Sequence, residues 1–309
     1  MKLSPQLTGL ITVCRSVTKS ICFHHNDPDG HASGAIVRYA LGDAVTLIES
    51  DYNNTPIIPW DLVEQAEQVI VTDFSFPVAE MQRLAKGRKL VWIDHHKSAI
   101  AEFAGIADHW PGIRDVSEAA CVLTWRYFFP QRPVPKAVIL VGDRDTWRWA
   151  EKDTGPFNES LHGHDHHANN AAFWKPLLED DPSTLEKMIE EGVWLREIKL
   201  RKVDRMMKAR SFEVRFEGYR TLAVNTRGSG DVGNYGRDRG YEIVYAYVDE
   251  MRVGGLTTVV TLYSDQVDVS VVAKRYGGGG HAGAAGFSFL RGATPFPPGS
   301  QVELDTRQE

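Results

Sequence analysis

From Ser20 onward the chain alternates short apolar runs with stretches in which apolar residues recur at helical spacing. Residues 21–23, 45–48, 69–71 and 90–93 are short, apolar and bounded by polar residues, so each predicts a buried strand. After the first, a polar turn over 25–30 leads into Ala32, Ala35, Ile36 and Tyr39, whose spacing predicts a helix. Strand and helix in alternation predict an α/β fold, a parallel sheet with helices on both faces. Further on, Leu185, Met188, Ile189, Val193, Ile198, Val203 and Met206 mostly recur at three-to-five residue intervals, predicting a connector helix over 181–211. Residues 212–224, 241–248 and 256–263 are β-rich, and 267–275 are expected to be helical before a glycine run. The expected organisation is an N-terminal α/β domain over 1–180, the connector, and a smaller α/β domain over 212–309. A length of 309 residues suits two domains.

Composition changes this picture little, but it narrows the function. With 42% hydrophobic and 25% charged residues the chain is an ordinary folded protein, which excludes disordered, collagenous and coiled-coil classes. A net charge of -6 removes a surface-wide cationic field, so long nucleic acid is not an expected partner. Cys14, Cys22 and Cys121 have neither metal-binding spacing nor an even count, which points to a reducing cytoplasm. The apolar run over 10–14 is ended by Arg15, too short for a signal peptide or a bilayer span, so no membrane association is expected.

The chemistry is carried by histidines and carboxylates. Most of the eleven histidines fall in clusters: His24, His25 and His31; His95 and His96; His162, His164, His166 and His167. In the first turn, His25, Asp27 and Asp29 alternate and can converge on one cation; an Asp-rich turn built around Pro28 and Gly30 is the plainer reading. Asp73 closes the second apolar run of this kind, although alone it would serve equally as a helix cap. Asp94, His95 and His96 close the next, and adjacent residues at a strand end point opposite ways, so one imidazole can face a cation and the other a substrate. Asp143 again follows apolar residues, Leu140 and Val141, with pairing to Arg144 or Arg148 as the alternative. Four apolar segments thus each deliver a carboxylate and two also deliver imidazole, enough donors for two cations. Mixed carboxylate and imidazole ligation suits manganese, with magnesium less favoured as nitrogen content rises. A shared carboxylate can hold two such ions roughly 3.5–4 Å apart, the spacing used for in-line phosphoryl displacement. This points to a phosphoesterase.

In the glycine run, Gly279 and Gly280 would let backbone amides approach a phosphate, a helix starting there would add its positive end, and His281 could bind the same group. Trp147, Trp149 and Tyr263 are candidates for stacking on bases, with core packing as the alternative. His162, His164, Asp165, His166 and His167 read first as a polar surface loop and second as an adventitious metal site. Lys199, Arg201, Lys202, Arg205, Lys208 and Arg210 read as a solvated basic helix face.

In this order and over about residues 21–289, the five motifs resemble the DHH superfamily of phosphoesterases, whose name is spelled here by Asp94, His95 and His96. The glycine run resembles that of the DHH-associated C-terminal domain. The resemblance implies an α/β catalytic domain, a connecting helix and a smaller substrate-binding domain closing over a two-manganese cleft, with magnesium or cobalt as substitute ions. Carried over by position, His25 and Asp29 would hold one ion, Asp73 would bridge both, and His95 and Asp143 would serve the second. His96 would face the scissile phosphate, and Asp94 would orient a histidine ligand. One family pattern has an aspartate where this chain has His31, and another has one where this chain has Asp27; Asp27 is favoured as the remaining ligand, with His31 as substitute. Some members carry a phosphate-binding arginine at the position of Tyr263, which Arg227, Arg237 or Arg239 would have to replace.

The expected activity is that of the oligoribonuclease-like branch: hydrolysis of short oligonucleotides (nanoRNA) to mononucleotides by a hydroxide bridging two manganese ions. The expected partners are short single-stranded RNA or DNA, or small phosphorylated nucleotides, with a homodimer as candidate assembly. The alternatives are a 3′-phosphoadenosine 5′-phosphate phosphatase, a cyclic dinucleotide phosphodiesterase and a polyphosphatase. From another class, a catalytically inactive nucleotide-binding regulator is the alternative.

Overall fold

The structure is a computed structural model, and it describes residues 20–52 and 57–304. They fall into two compact units divided between Arg196 and Glu197. In the first unit the order is β1 (Ser20–His25), α1 (Pro28–Leu41), β2 (Val45–Ser50), α2 (Trp60–Val63), β3 (Gln68–Thr72), α3 (Val78–Ala85), β4 (Lys89–Ile93) and α4 (Lys97–Glu102). Helices α5 (Ala120–Phe128), α6 (Lys136–Asp145), α7 (Thr154–Gly163) and α8 (Ala171–Leu178) follow, and α9 (Pro182–Arg210) continues into the second unit. The predicted strands all form, as a four-stranded sheet in the order β2-β1-β3-β4 with every pairing parallel.

Both faces of this sheet are covered, so its strands read as continuous apolar runs rather than alternating ones. Ile21, Phe23, Val69, Val71, Leu90 and Trp92 point to one side and pack with Met81, Leu84, Phe103 and Trp110. Their neighbours Cys22, Ile70, Val91 and Ile93 point to the other and meet Val37 and Leu123. The chain moves from β1 outward to β2, then returns to β3 on the opposite side of β1. Such a reversal opens a crevice at the carboxyl ends of the strands, where α/β sheets bind ligands.

The second unit contains β5 (Ser211–Phe216), β6 (Tyr219–Asn225), α10 (Gly230–Arg237), β7 (Ile243–Arg252), β8 (Gly255–Tyr263), α11 (Val269–Arg275), β9 (Gly279–His281), β10 (Ala284–Leu290) and β11 (Val302–Leu304). Its seven-stranded sheet runs β11-β5-β6-β7-β8-β10-β9. Only the β6–β7 pair is parallel among these. One face packs Tyr245, Leu262 and Phe287 on Val269, Val272 and Ala273 of α11. The other packs Leu222, Val224 and Val244 on Met207 of α9 and Val232 of α10.

One point left open is decided and one expectation is corrected. The apolar residues before Asp143 belong to helix α6, with Ala137, Val138, Leu140 and Val141 buried on its inner side. The glycine run opens an edge strand, β9, and no helix begins there. In α9, Met188 packs within the first unit and Met207 within the second, while Val193 and Ile198 are exposed.

Candidate metal centre

The site grows from the carboxyl ends of β1, β3 and β4. His25 ends β1, and the turn after it closes when Asp27 caps α1, accepting from the Gly30 amide at 2.8 Å. A Cβ on Gly30 would sit 2.3 Å from the His25 carbonyl oxygen, so only glycine lets the helix start this close to the strand end. The same Asp27 carboxylate lies 2.9 Å from His25 Nδ1. Asp29, 1% exposed, accepts from the Ala120 and Cys121 amides, each at 2.8 Å, and so fixes the start of α5 beside α1.

Asp73 follows β3 with φ at 56°, a left-handed conformation that costs a non-glycine residue energy and is typical of functional positions. That conformation holds its carboxylate in the middle of the cluster. Oδ2 lies 3.7 Å from His25 Nδ1, and Oδ1 lies 3.3 Å from His95 Nε2 and 3.9 Å from His96 Nδ1. Asp94, fully buried after β4, accepts with Oδ1 from the His95 amide at 2.7 Å, the His96 amide at 3.0 Å and His96 Nδ1 at 2.8 Å. It therefore positions the two residues that follow it. His95 Nε2 also faces Asp29 Oδ2 at 3.7 Å and Asp145 Oδ2 at 3.4 Å.

Three overlapping donor groups result: His25, Asp27 and Asp73; Asp73, His95 and His96; and Asp29, His95 and Asp145. Asp29, expected beside His25, thus groups with His95. Of the two candidates for the remaining position, Asp27 joins the cluster and His31 points elsewhere, toward Glu49. Asp143, expected as a ligand, stands in none of these groups, whereas Asp145 stands in one. Two residues along a helix is a rotation of about 200°, so the two carboxylates leave α6 on opposite sides. Asp143 accepts instead from the amides of Ala150 and Glu151 at 2.9 and 3.1 Å and from the Thr154 hydroxyl.

Electrostatics says what this cluster lacks. Burial pushes the carboxyls of Asp29, Asp73 and Asp145 above the ordinary carboxylate range, and the charge of neighbouring aspartates adds to it. Burial opposes the imidazolium of His25, but its hydrogen bond to Asp27 and the nearby carboxylate of Asp73 outweigh that and raise it to about 10. The Asp94 bond raises His96 to about 9. Both oxygens of Asp73 are buried without a hydrogen-bond partner. An unsatisfied buried carboxylate ringed by further carboxylates and imidazoles fits divalent cations, which would neutralise the charge that makes such a cluster costly.

Sequence reasoning missed Tyr52, whose ring lies 5.4 Å from that of His25 and 6.1 Å from that of His96. Its hydroxyl accepts from the Ser75 amide at 3.0 Å. Trp147 and Trp149, just beyond Asp145, are 60% and 39% exposed and pack edge to face, so they are surface aromatics and not core. In the second unit Tyr263 is packed against Gly228 and Gly233, and each arginine considered in its place has an acidic neighbour: Glu250 for Arg227, Asp265 for Arg237 and Asp204 for Arg239. The exposed His281 pairs with Ala284 across β9 and β10.

No protein-family model matches the chain. It is 26% identical over 306 residues to the uncharacterized protein R106 of Acanthamoeba polyphaga mimivirus, covering 89% of this chain and 69% of that one. It is 24% identical over 293 residues to oligoribonuclease NrnB of Bacillus subtilis (strain 168), covering 86% and 72%. Among solved structures, the DHH domain of PF0399, described as a member of a family of ribosomal proteins, superposes with a TM-score of 0.53 at 17% identity, covering 89% of this chain and 83% of that one. The chain has the DHH fold. The DHH triplet lies at the end of β4, and the remaining donors of the cluster come from β1, α1, the residue after β3 and α6.

Proposed function

We propose that the protein is a manganese-dependent phosphoesterase that releases mononucleotides from short oligonucleotides. It is a hydrolase of the DHH phosphoesterase class. The observation that carries this reading is Asp73, its two oxygens buried without a hydrogen bond among the surrounding donor groups. His25, Asp27 and Asp73 would hold one cation, and Asp29, Asp73, His95 and Asp145 the other. Bound there, the ions would supply an activated water and positive charge against the phosphoryl oxygens. The protein's own groups do the rest. Asp94 accepts a hydrogen bond from His96 Nδ1 and favours the protonated ring, whose Nε2–H is then free to donate toward a phosphoryl oxygen.

Short oligonucleotides are the substrate class supported by the likeness to oligoribonuclease NrnB and by the exposed Trp147 and Trp149 beside Asp145. Manganese is supported by the mixed donor set. In the second unit, Gly279 has open space where a side chain would be, which leaves its backbone approachable; with Gly280 and His281 it is assigned to a substrate phosphate. A reducing cytoplasm agrees with the free, buried Cys22 and Cys121. Among the described residues no helix is long and apolar enough to cross a membrane.

The test is release of mononucleotides from a 5′-labelled trinucleotide RNA with manganese, comparing the natural protein with Asp73→Ala. Release that needs both the metal and Asp73 is the expected result. Turnover unchanged in Asp73→Ala would overturn the two-cation site. No release by folded, metal-loaded protein would overturn the oligonucleotide substrate and turn the search to small nucleotides and polyphosphate.

A further inference from the structure

The histidine-rich segment after α7 has no part in the cluster above, yet it builds a second one. His31, in the first turns of α1, points away from Asp29 and places Nε2 3.0 Å from Glu49 Oε2 on β2. His167 places Nδ1 3.2 Å from the same oxygen. All three donor atoms lie within 4.8 Å of one another. His31 is 5% exposed, and its Nδ1 is buried without a hydrogen-bond partner. The ring of His166 lies 5.1 Å from that of His31, and that of His24 lies 5.8 Å away.

A single Glu49 oxygen lies within reach of two imidazoles, with two more rings close to His31. Two ligands held about 2.0–2.1 Å from a tetrahedral ion sit roughly 3.3–3.4 Å apart, close to the separations of 3.0 and 3.2 Å seen here. The donor chemistry also differs from that of the first cluster. There carboxylates predominate, which suits manganese; here two imidazoles and one carboxylate match a zinc set that a water completes.

We propose that His31, Glu49 and His167 bind one zinc ion, separate from the cations held around Asp73. The ion ties α1, β2 and the segment after α7 together on the side of the unit that His31 faces. Its ligands come from three separate stretches of chain, so the site exists only in the folded protein.

The full-length protein, stripped with a chelator and dialysed against zinc, provides the test, with bound metal counted by elemental analysis. The expected result is one zinc fewer per chain in His167→Ala and in Glu49→Gln than in the natural protein. Cobalt in place of zinc should give an intense visible band from four-coordinate ion that both variants lack. Manganese-supported turnover should be unchanged in His167→Ala, because His167 belongs to none of the donor groups around Asp73. Equal zinc content in the natural protein and both variants would overturn the proposal. Should one variant misfold by circular dichroism, the other decides alone, since His167 sits in an exposed loop and Glu49→Gln keeps the side-chain shape.

Discussion

Asp143 and Asp145 stand two residues apart on α6, yet one ties down the chain after the helix and the other faces His95. Their neutral isosteres should therefore fail in different ways. Asp145→Asn should keep its fold and lose activity, with kcat/KM down about 100-fold or more at fixed manganese. Asp143→Asn presents an amide where Ala150, Glu151 and Thr154 all donate, so it should lose about 1–3 kcal/mol of stability and keep manganese binding. Denaturant titration and metal titration of both variants separate the two roles, and a reversed pattern would refute the assignment. The sequence made the motif visible but left the choice between these two residues to a secondary-structure question. Read as a strand end, 140–145 favours the first carboxylate after the apolar run; read as a helix, it favours whichever residue faces the sheet. Tyr52 had no sequence signal, because the loop that brings it to His25 follows no periodicity. For Trp147 and Trp149 the sequence left core and surface open, and their exposure decides it. Trp147→Ala should raise KM for a trinucleotide about 5- to 150-fold with kcat nearly unchanged, the effect of losing about 1–3 kcal/mol of stacking on one base. An unchanged KM would remove Trp147 from the substrate site.

At the level of elements, the strands of the first sheet were legible because burial on both faces leaves an apolar run that nothing else in that stretch resembles. The glycine run was legible as a special segment but not as β9. Two of its glycines are set by contact with β10: a Cβ on Gly278 would meet the Gly286 carbonyl oxygen at 2.1 Å and one on Gly280 the Ala284 carbonyl oxygen at 2.7 Å, contacts that local sequence does not announce. The hairpin between β5 and β6 gives another case. Glu217 and Gly218 both have positive φ, 52° and 86°, as a two-residue hairpin turn requires. Asparagine or glycine is the usual choice at the first position, so glutamate there needs a reason. Its carboxylate supplies one, accepting from the Tyr276 hydroxyl, from Arg275 at 3.2 Å and from the Gln301 amide at 3.0 Å. Burial opposes the charge, but these donors outweigh it and hold the carboxyl below its ordinary range. A carboxyl with a lowered folded value stabilises the fold above its unfolded pKa of about 4.3 and loses that contribution as pH falls through the folded value. Glu217→Gln should thus cost about 1–2 kcal/mol at pH 7, and the difference should shrink steadily below about pH 4 in denaturant titrations. A difference that does not vary with pH would mean that the charge is not what Glu217 contributes.

For the molecule as a whole, the centre around Asp73 sets stability against function. The fold brings Asp27, Asp29, Asp73, Asp94 and Asp145 together with three imidazoles, and leaves Asp73 with no hydrogen bond at either oxygen. A buried carboxylate without a hydrogen bond is a cost for a fold to carry, and Asp73 adds the strain of a left-handed backbone. That cost is tolerable if cations bind the folded state alone, since such binding stabilises by about 2.7 kcal/mol at a concentration one hundred times the dissociation constant. Asparagine at position 73 is the test that touches nothing else. It keeps the side-chain shape, accepts the left-handed φ better than most residues, and removes the charge. The metal-free Asp73→Asn protein should therefore melt at or above the midpoint of the metal-free natural protein. Manganese should raise the natural midpoint by several degrees and leave that of the variant nearly unmoved. Turnover should be lost in the variant at every manganese concentration. Thermal scans of both proteins, with chelator and with manganese, give the four midpoints. A metal-free variant that melts well below the natural protein would mean that Asp73 supports the fold directly, and its unpaired oxygens would then need another explanation than a cation.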